Sequence, residues 1–163
     1  MASRVYKFAV DASLGRLANH LRLMGFDADY QDRGDALAFF QGSGPERIAL
    51  TRIRHLCGRL PQKKWLFIGV NDPDEQVVLV LTAFEVELAD LHPFSRCMHC
   101  NRAVEVLEKD AVWGRVPDYV WQTQPHFSSC PRCGRVFWPG SHTSRYRKKI
   151  NHWFKRRSEK YHE

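Results

Sequence analysis

Two cysteine knuckles constrain this chain more than any other feature. Cys97 and Cys100 lie in SRCMHCN, Cys130 and Cys133 lie in SCPRCGR, and 29 residues separate Cys100 from Cys130. A two-residue gap lets a tight turn aim both sulfurs at one point, so two such pairs can close a tetrahedral thiolate shell around Zn²⁺. Two disulfides, a redox dithiol or an iron–sulfur cluster would draw on the same residues. The spacing and the absence of secretory features favour structural zinc. The stretch MASRVYKFAVDASLG has no long apolar run, and no segment reaches transmembrane length. Together with an odd fifth cysteine, Cys57, these features point to a reducing cytoplasm and away from a membrane. Cys57, in RIRHLCGRL, reads as a small buried hydrophobe.

Before the knuckles, strand and helix patterns alternate. Tyr6–Val10 is short and apolar, and ends at Asp11. Ser13 then opens a helix whose apolar face is Leu14, Leu17, Ala18, Leu21 and Met24, with Gly25 to end it. Phe26–Tyr30 reads as a second strand, followed by a helix opened by Asp35. Arg47–Thr51 reads as a third strand, residues 52–58 as a short helix, and Trp65–Val70 as a strand buried on both faces. Asp72-Pro73-Asp74-Glu75 starts the next helix with a cap and a proline in the first turn. The pattern predicts an α/β fold, a three-layer parallel sheet over residues 1–92. From residue 93 to 141 scattered valines and prolines suit a small β-rich zinc ribbon of short hairpins. Trp138 packs in its thin core, and Trp113, Trp121 and Phe127 fill that core or, where exposed, stack on bases.

Charge divides the chain. Residues 1–96 hold 12 Lys/Arg and 12 Asp/Glu, whereas residues 97–163 hold 13 and 6, so the whole net charge of +7 falls after the first knuckle. The tail 142–163 carries Arg145, Arg147, Lys148, Lys149, Arg156 and Arg157 at helical density, with Ile150, Trp153 and Phe154 between them. Basic groups for phosphates and aromatic rings for stacking suit RNA or a ribonucleoprotein. Asn151 and His152 interrupt the apolar stripe that a membrane helix needs.

In a parallel sheet, ligands gather at the carboxyl ends of the strands. Asp11 follows the first strand, and Asp29, Asp32 and Asp35 surround the exit of the second. Carboxylates meeting there would hold Mg²⁺ or Mn²⁺ and leave positions for phosphate and water. Helix capping is the competing role for Asp35 and Asp72, and exposed turns for Asp29 and Asp32. His99 reads as exposed with four thiolates available, and His142 as a loop or phosphate-contacting group.

The ordered set FAVDASLGRLANHLRLMGFDADY, ALTRIRHL, VNDPDEQ, FSRCMHCN, VPDYVWQTQPHF and CPRCGRVFWPGSH resembles the PIN-like Mut-seven C-terminal ribonuclease domain with its zinc ribbon, over nearly all of residues 6–146. The resemblance implies a PIN-like fold, divalent metal on acidic residues, and ribonuclease activity. By position, Asp11 resembles the first family acid and Asp35 the acid that opens the second helix. Family members read T-R-D after the third strand, whereas this chain reads Thr51-Arg52-Ile53, with His55 two residues on. Isoleucine cannot ligate a cation, and imidazole is a poor ligand for Mg²⁺. Two functions follow as expectations: a metal-dependent ribonuclease on Asp11 and Asp35, or a catalytically impaired module that binds RNA.

Overall fold

The computed structural model describes residues 2–161, so the last two residues of the basic tail lie outside it. Four short strands form a parallel sheet: β1 (Lys7–Val10), β2 (Asp27–Tyr30), β3 (Ile48–Thr51) and β4 (Trp65–Phe67), in the order β2-β1-β3-β4. Phe8 stands opposite Ala28 on one side and Ile48 on the other, and Leu50 stands opposite Leu66. Successive residues of a strand face opposite sides of the sheet. Phe8, Val10 and Leu50 therefore enter one core with Leu17 and Leu21 of α1 (Gly15–Leu23). Ala9 and Ala49 enter the other core, where their small side chains leave room for Phe40 of α2 (Ala36–Gly42). The helix α3 (Pro73–Ala83) adds Val77, Val80 and Leu81 to the first core.

Local chemistry explains the boundaries. Asp11 has extended backbone angles, and its side chain accepts from Ser13 N, so Asp11 and not Ser13 caps the chain here. What it caps is a 3-10 turn, Ala12–Leu14, and α1 begins only at Gly15. Asp35 caps α2 through Ala38 N at 3.0 Å, and Asp72 caps α3 through Glu75 N at 3.1 Å. Gly25 ends α1 at φ +97°, and a β-carbon there would lie 2.3 Å from the His92 carbonyl oxygen. Only glycine allows residues 92–94 to lie against the end of α1, where His92 N donates to Met24 O. The helix predicted over 52–58 contracts to one 3-10 turn, Arg54–Leu56, and β4 is three residues long. Gly58, at φ +84°, lies where that helix would have continued.

The ribbon has three antiparallel strands, β5 (Glu105–Leu107), β6 (Phe127–Ser129) and β7 (Val136–Phe137), in sequence order. Between β5 and β6 lies α4 (Asp118–Thr123), absent from the hairpin expectation; Pro117 leads into it and Asp118 sits in its first turn. Val112, Val120 and Phe127 form the ribbon core, with Trp121 and Trp138 against it. Trp113 is 62% exposed. The basic tail forms α5 (Ser141–Tyr161), which returns to the first core and buries Ile150 and Trp153 there.

Candidate functional site

β1 connects outward to β2 on one side, and β3 leads to β4 on the other, so the topology switches between β1 and β3. Asp11 and Thr51-Arg52 meet at the carboxyl ends of those two strands. The Asp11 carboxylate is 1% exposed and fully engaged. One oxygen accepts from Ser13 N at 2.9 Å and from the Ser13 hydroxyl. The other accepts from Thr51 Oγ1 and Arg52 N, each at 2.7 Å. A carboxylate has about four acceptor positions. A cation bound by Asp11 would have to displace donors that hold β1 to β3.

The remaining acids are dispersed. Asp35 is exposed at the start of α2, and Asp32 is exposed beside Arg33 at 3.5 Å. Asp29 accepts from Ser43 Oγ at 3.2 Å. Asp72 caps α3 and faces Arg156 at 3.7 Å. Among the described residues, the cysteine quartet is the only group of three or more His, Cys, Asp or Glu side chains that could hold a metal ion. Ile53, like Leu37, Phe39 and Leu60, packs against the core formed by Ala9, Ala36, Phe40, Ala49 and Leu56. The Arg52 guanidinium crosses the strand ends and donates to Asn71 Oδ1 at 2.6 Å and to Val70 O at 3.3 Å. Ile53 supplies no carboxylate beside Arg52, and no group of three carboxylates gathers among the described residues. The donor set does not fit a tightly held Mg²⁺ or Mn²⁺.

The cysteines are brought together. Cys97, Cys100, Cys130 and Cys133 present sulfurs all within 4.8 Å of one another, and Cys97 Sγ lies 3.9 Å from Cys133 Sγ. Thiolates about 2.3 Å from one tetrahedral ion lie about 3.8 Å apart, so these residues fit a single metal ion. Each knuckle repeats the same backbone pattern. Cys97 N donates to Arg102 O and Asn101 N to Cys97 O; Cys130 N donates to Arg135 O and Gly134 N to Cys130 O. Asn101 and Gly134 both take positive φ at the matching position, +56° and +73°. Desolvation and the neighbouring thiols push Cys100 up to about 12, whereas backbone and side-chain hydrogen bonds from Arg135 draw Cys133 down to about 6. Four thiolates share this space only with a cation between them. His99 is exposed, and Cys57 is half-buried.

The first knuckle also docks the ribbon on the sheet through residues that the sequence reading did not single out. Asn101 Nδ2 donates to Asp27 Oδ1 at 2.7 Å, and its Oδ1 accepts from Ala28 N at 3.0 Å. Arg47 forks onto Asp27 at 2.8 and 3.2 Å. Burial opposes ionisation of Asp27, but the hydrogen bonds from Arg47 and Asn101 outweigh it and hold the carboxyl below its usual range. Arg22, buried on α1, donates to Ala28 O at 2.9 Å and to Met98 O at 2.7 Å. An asparagine directly after C-x-x-C is the one sequence signal for this contact, since Asn tolerates positive φ.

The six basic residues singled out in the tail separate into two groups. Lys149 pairs with Asp74 at 3.2 Å, Arg156 with Glu75 at 3.3 Å, and Arg157 with Glu87 at 3.2 Å. These three fasten α5 to α3 and to the loop after it. Arg145, Arg147 and Lys148 are exposed, and the Arg147 guanidinium lies 5.4 Å from the centre of the Phe94 ring. On the inner face, His20 Nδ1 and the Tyr146 hydroxyl share a hydrogen bond, and Trp153 Nε1 donates to Asp74 Oδ1 at 3.0 Å. Burial, with Lys149 nearby, lowers His20 to about 4. Among the described residues, no helix is long and apolar enough to cross a membrane.

A parallel α/β domain with Asp11 at the switch point, joined to a four-cysteine ribbon, agrees with the PIN-like nuclease class. The family model described as the Mut7-C RNAse domain matches residues 6–150, and the chain belongs to that family. Searches of curated proteins and of solved structures returned no match.

Proposed function

We propose that this protein binds RNA, alone or within a ribonucleoprotein, and that it does so as a PIN-like family member whose strand-edge site holds a divalent cation too weakly for metal-dependent cleavage. The observation that carries the reading is the position of Ile53: an apolar side chain packed on the α2 core stands where the family places a carboxylate. RNA affinity comes from the outer face of α5. Arg145, Lys148 and Lys155 lie there at spacings of three and seven residues, all exposed, with Arg147 beside them. Side chains so spaced project along one side of a helix and can track successive phosphates. Zn²⁺ is the ion of the cysteine shell; it is closed by four thiolates, so it folds the ribbon and takes no part in chemistry. A cytoplasmic location agrees with reduced thiol ligands.

A second reading, a ribonuclease active with Mg²⁺ or Mn²⁺, draws on Asp11 at the switch point and Asp35 at the start of α2. Mg²⁺ commonly takes one or two carboxylates and completes its shell with water and substrate phosphate. One experiment separates the readings. Wild type, Ile53→Asp and Asp11→Asn are incubated with structured and single-stranded RNA and Mn²⁺. On the binding reading, wild type and Asp11→Asn retain equal, salt-sensitive affinity without cleavage, and Ile53→Asp gains cleavage. Cleavage by wild type that Asp11→Asn abolishes would establish the enzyme. The double variant Arg145→Glu/Lys148→Glu should weaken RNA binding roughly tenfold at low salt and flatten its salt dependence.

A further inference from the structure

At the opposite end of the sheet, where the strands begin, lies a cleft of about 670 Å³ lined in part by Arg4, Lys7, Arg47, Lys63 and Lys64. The sheet register explains why cations collect there. Phe8 stands beside Ile48, and Ala49 beside Trp65. Continuing the register outward by one and two residues brings Lys7, Arg47 and Lys63 level at the entries of three neighbouring strands. Adjacent strands lie about 4.8 Å apart, so the row spans roughly 10 Å at the backbone.

Arg47 spends its charge on Asp27. The other four cations make no ion pair among the described residues. Glu46 and Glu85 are the acids in the lining, so cations exceed carboxylates by two once Arg47 is set aside. Tyr6 and Phe84 give the cleft an apolar wall, and the Tyr6 hydroxyl donates to Phe84 O at 3.1 Å and fixes it. Unpaired like charges in one concave site repel, and a bound anion relieves the repulsion.

We propose that this cleft is a second anion site, which takes the phosphates of a nucleotide ligand on Lys7, Lys63 and Lys64. The ligand chemistry is a phosphate chain, supplied by a free nucleoside triphosphate or by the 5′ end of an RNA strand. The site is separate from the Asp11 edge, since β1 places its four residues, roughly 13 Å, between the two ends of the sheet, and none of its lining residues belongs to α5.

Full-length protein is titrated calorimetrically at low salt with inorganic pyrophosphate, with adenosine triphosphate, and with a 5′-triphosphorylated oligoribonucleotide. The proposal requires saturable binding of at least one probe that falls tenfold or more in Lys63→Glu/Lys64→Glu and severalfold in Lys7→Gln, with Arg145→Glu/Lys148→Glu as wild type for pyrophosphate. Binding of the small phosphates identifies a free nucleotide as ligand; binding of the oligonucleotide alone, with the same loss in the cleft variants, identifies an RNA end. The Lys7→Gln arm covers the case in which the double variant does not fold. Equal affinity in wild type and folded cleft variants, or no saturable binding of any probe, overturns the proposal. Loss of RNA binding confined to the α5 variant would leave the helix reading intact and remove this one.

Discussion

Asp11 carries two demands that compete for the same oxygens. As a structural latch it accepts from both Ser13 donors, from Thr51 Oγ1 and from Arg52 N; as a metal ligand it would release some of them. Truncation to alanine leaves Thr51 and the Arg52 amide without their buried partner. Asp11→Ala should therefore cost roughly 2–4 kcal/mol of stability in urea unfolding, whatever its effect on RNA. A cost below 1 kcal/mol would show that the latch is weak. Asp11→Asn keeps only one accepting oxygen and sets its NH₂ against the other pair of donors, so its stability is measured beside any test of metal chemistry. His20 makes a second prediction, with a definite sign. Its pKa falls from 6.5 in the unfolded chain to about 4 in the fold, where it faces Lys149, Asp74, Arg16 and the Tyr146 hydroxyl. The unfolded chain binds the proton first, so the stabilisation is complete above pH 6.5 and is lost as pH falls from 6.5 towards 4. Between pH 7 and pH 4.5 wild type should lose on the order of 2 kcal/mol more than His20→Asn, read from urea midpoints at the two pH values.

The helix α5 shows how one element divides labour between two faces. Positions 146, 150, 153 and 157 turn inward, where Trp153 is fully buried and Arg157 reaches the Leu81 and Val86 carbonyls. Positions 145, 148, 152 and 155 turn outward and are exposed. Trp153→Ala should cost about 3–5 kcal/mol and lower the melting temperature of the whole sheet domain. Arg145→Glu/Lys148→Glu should leave the melting temperature unchanged; a large shift would show that the outer charges are structural. Composition alone marked α5 as basic and aromatic, but its inner face was not legible. Its ion-pair partners Asp72, Asp74, Glu75 and Glu87 lie 70 to 84 residues away, beyond the reach of local periodicity. β1, β3 and β4 were legible because each lies in a short apolar run, and β2 because Phe26, Ala28 and Tyr30 alternate with acids. The caps of α2 and α3 were legible because capping is local. Ser13 misled because a 3-10 turn puts the cap two residues earlier than a simple helix start. Helix α4 was missed because its six residues complete no amphipathic pattern of their own. At the strand edge the sequence reading singled out Ile53, but it did not reveal that the Arg52 guanidinium is held by Asn71 Oδ1 and Val70 O.

At the scale of the molecule, the cysteine shell governs more than its own module. The ribbon core rests on three buried side chains, too few to fold unaided. Chelation should remove one metal equivalent per chain, measured by elemental analysis, and abolish the near-ultraviolet signal of Trp113 and Trp121. The sheet domain, with Trp153 in place, should keep its far-ultraviolet signal; an unchanged near-ultraviolet spectrum after metal loss would refute the dependence. The ribbon, with α1, also covers an edge. β2 is the outermost strand, and at Ala28 its amide is held by Asn101 and its carbonyl by Arg22. An uncovered strand edge is a template for pairing with other chains. Asn101 is translated 73 residues after Ala28. At about 5–20 residues per second, the edge waits roughly 4–15 s on the ribosome for its cover, and longer where the metal is scarce. If the ribbon needs its metal to fold, the order of synthesis predicts that chains made without that metal leave the β2 edge open, and crowded polysomes are where such edges would first meet.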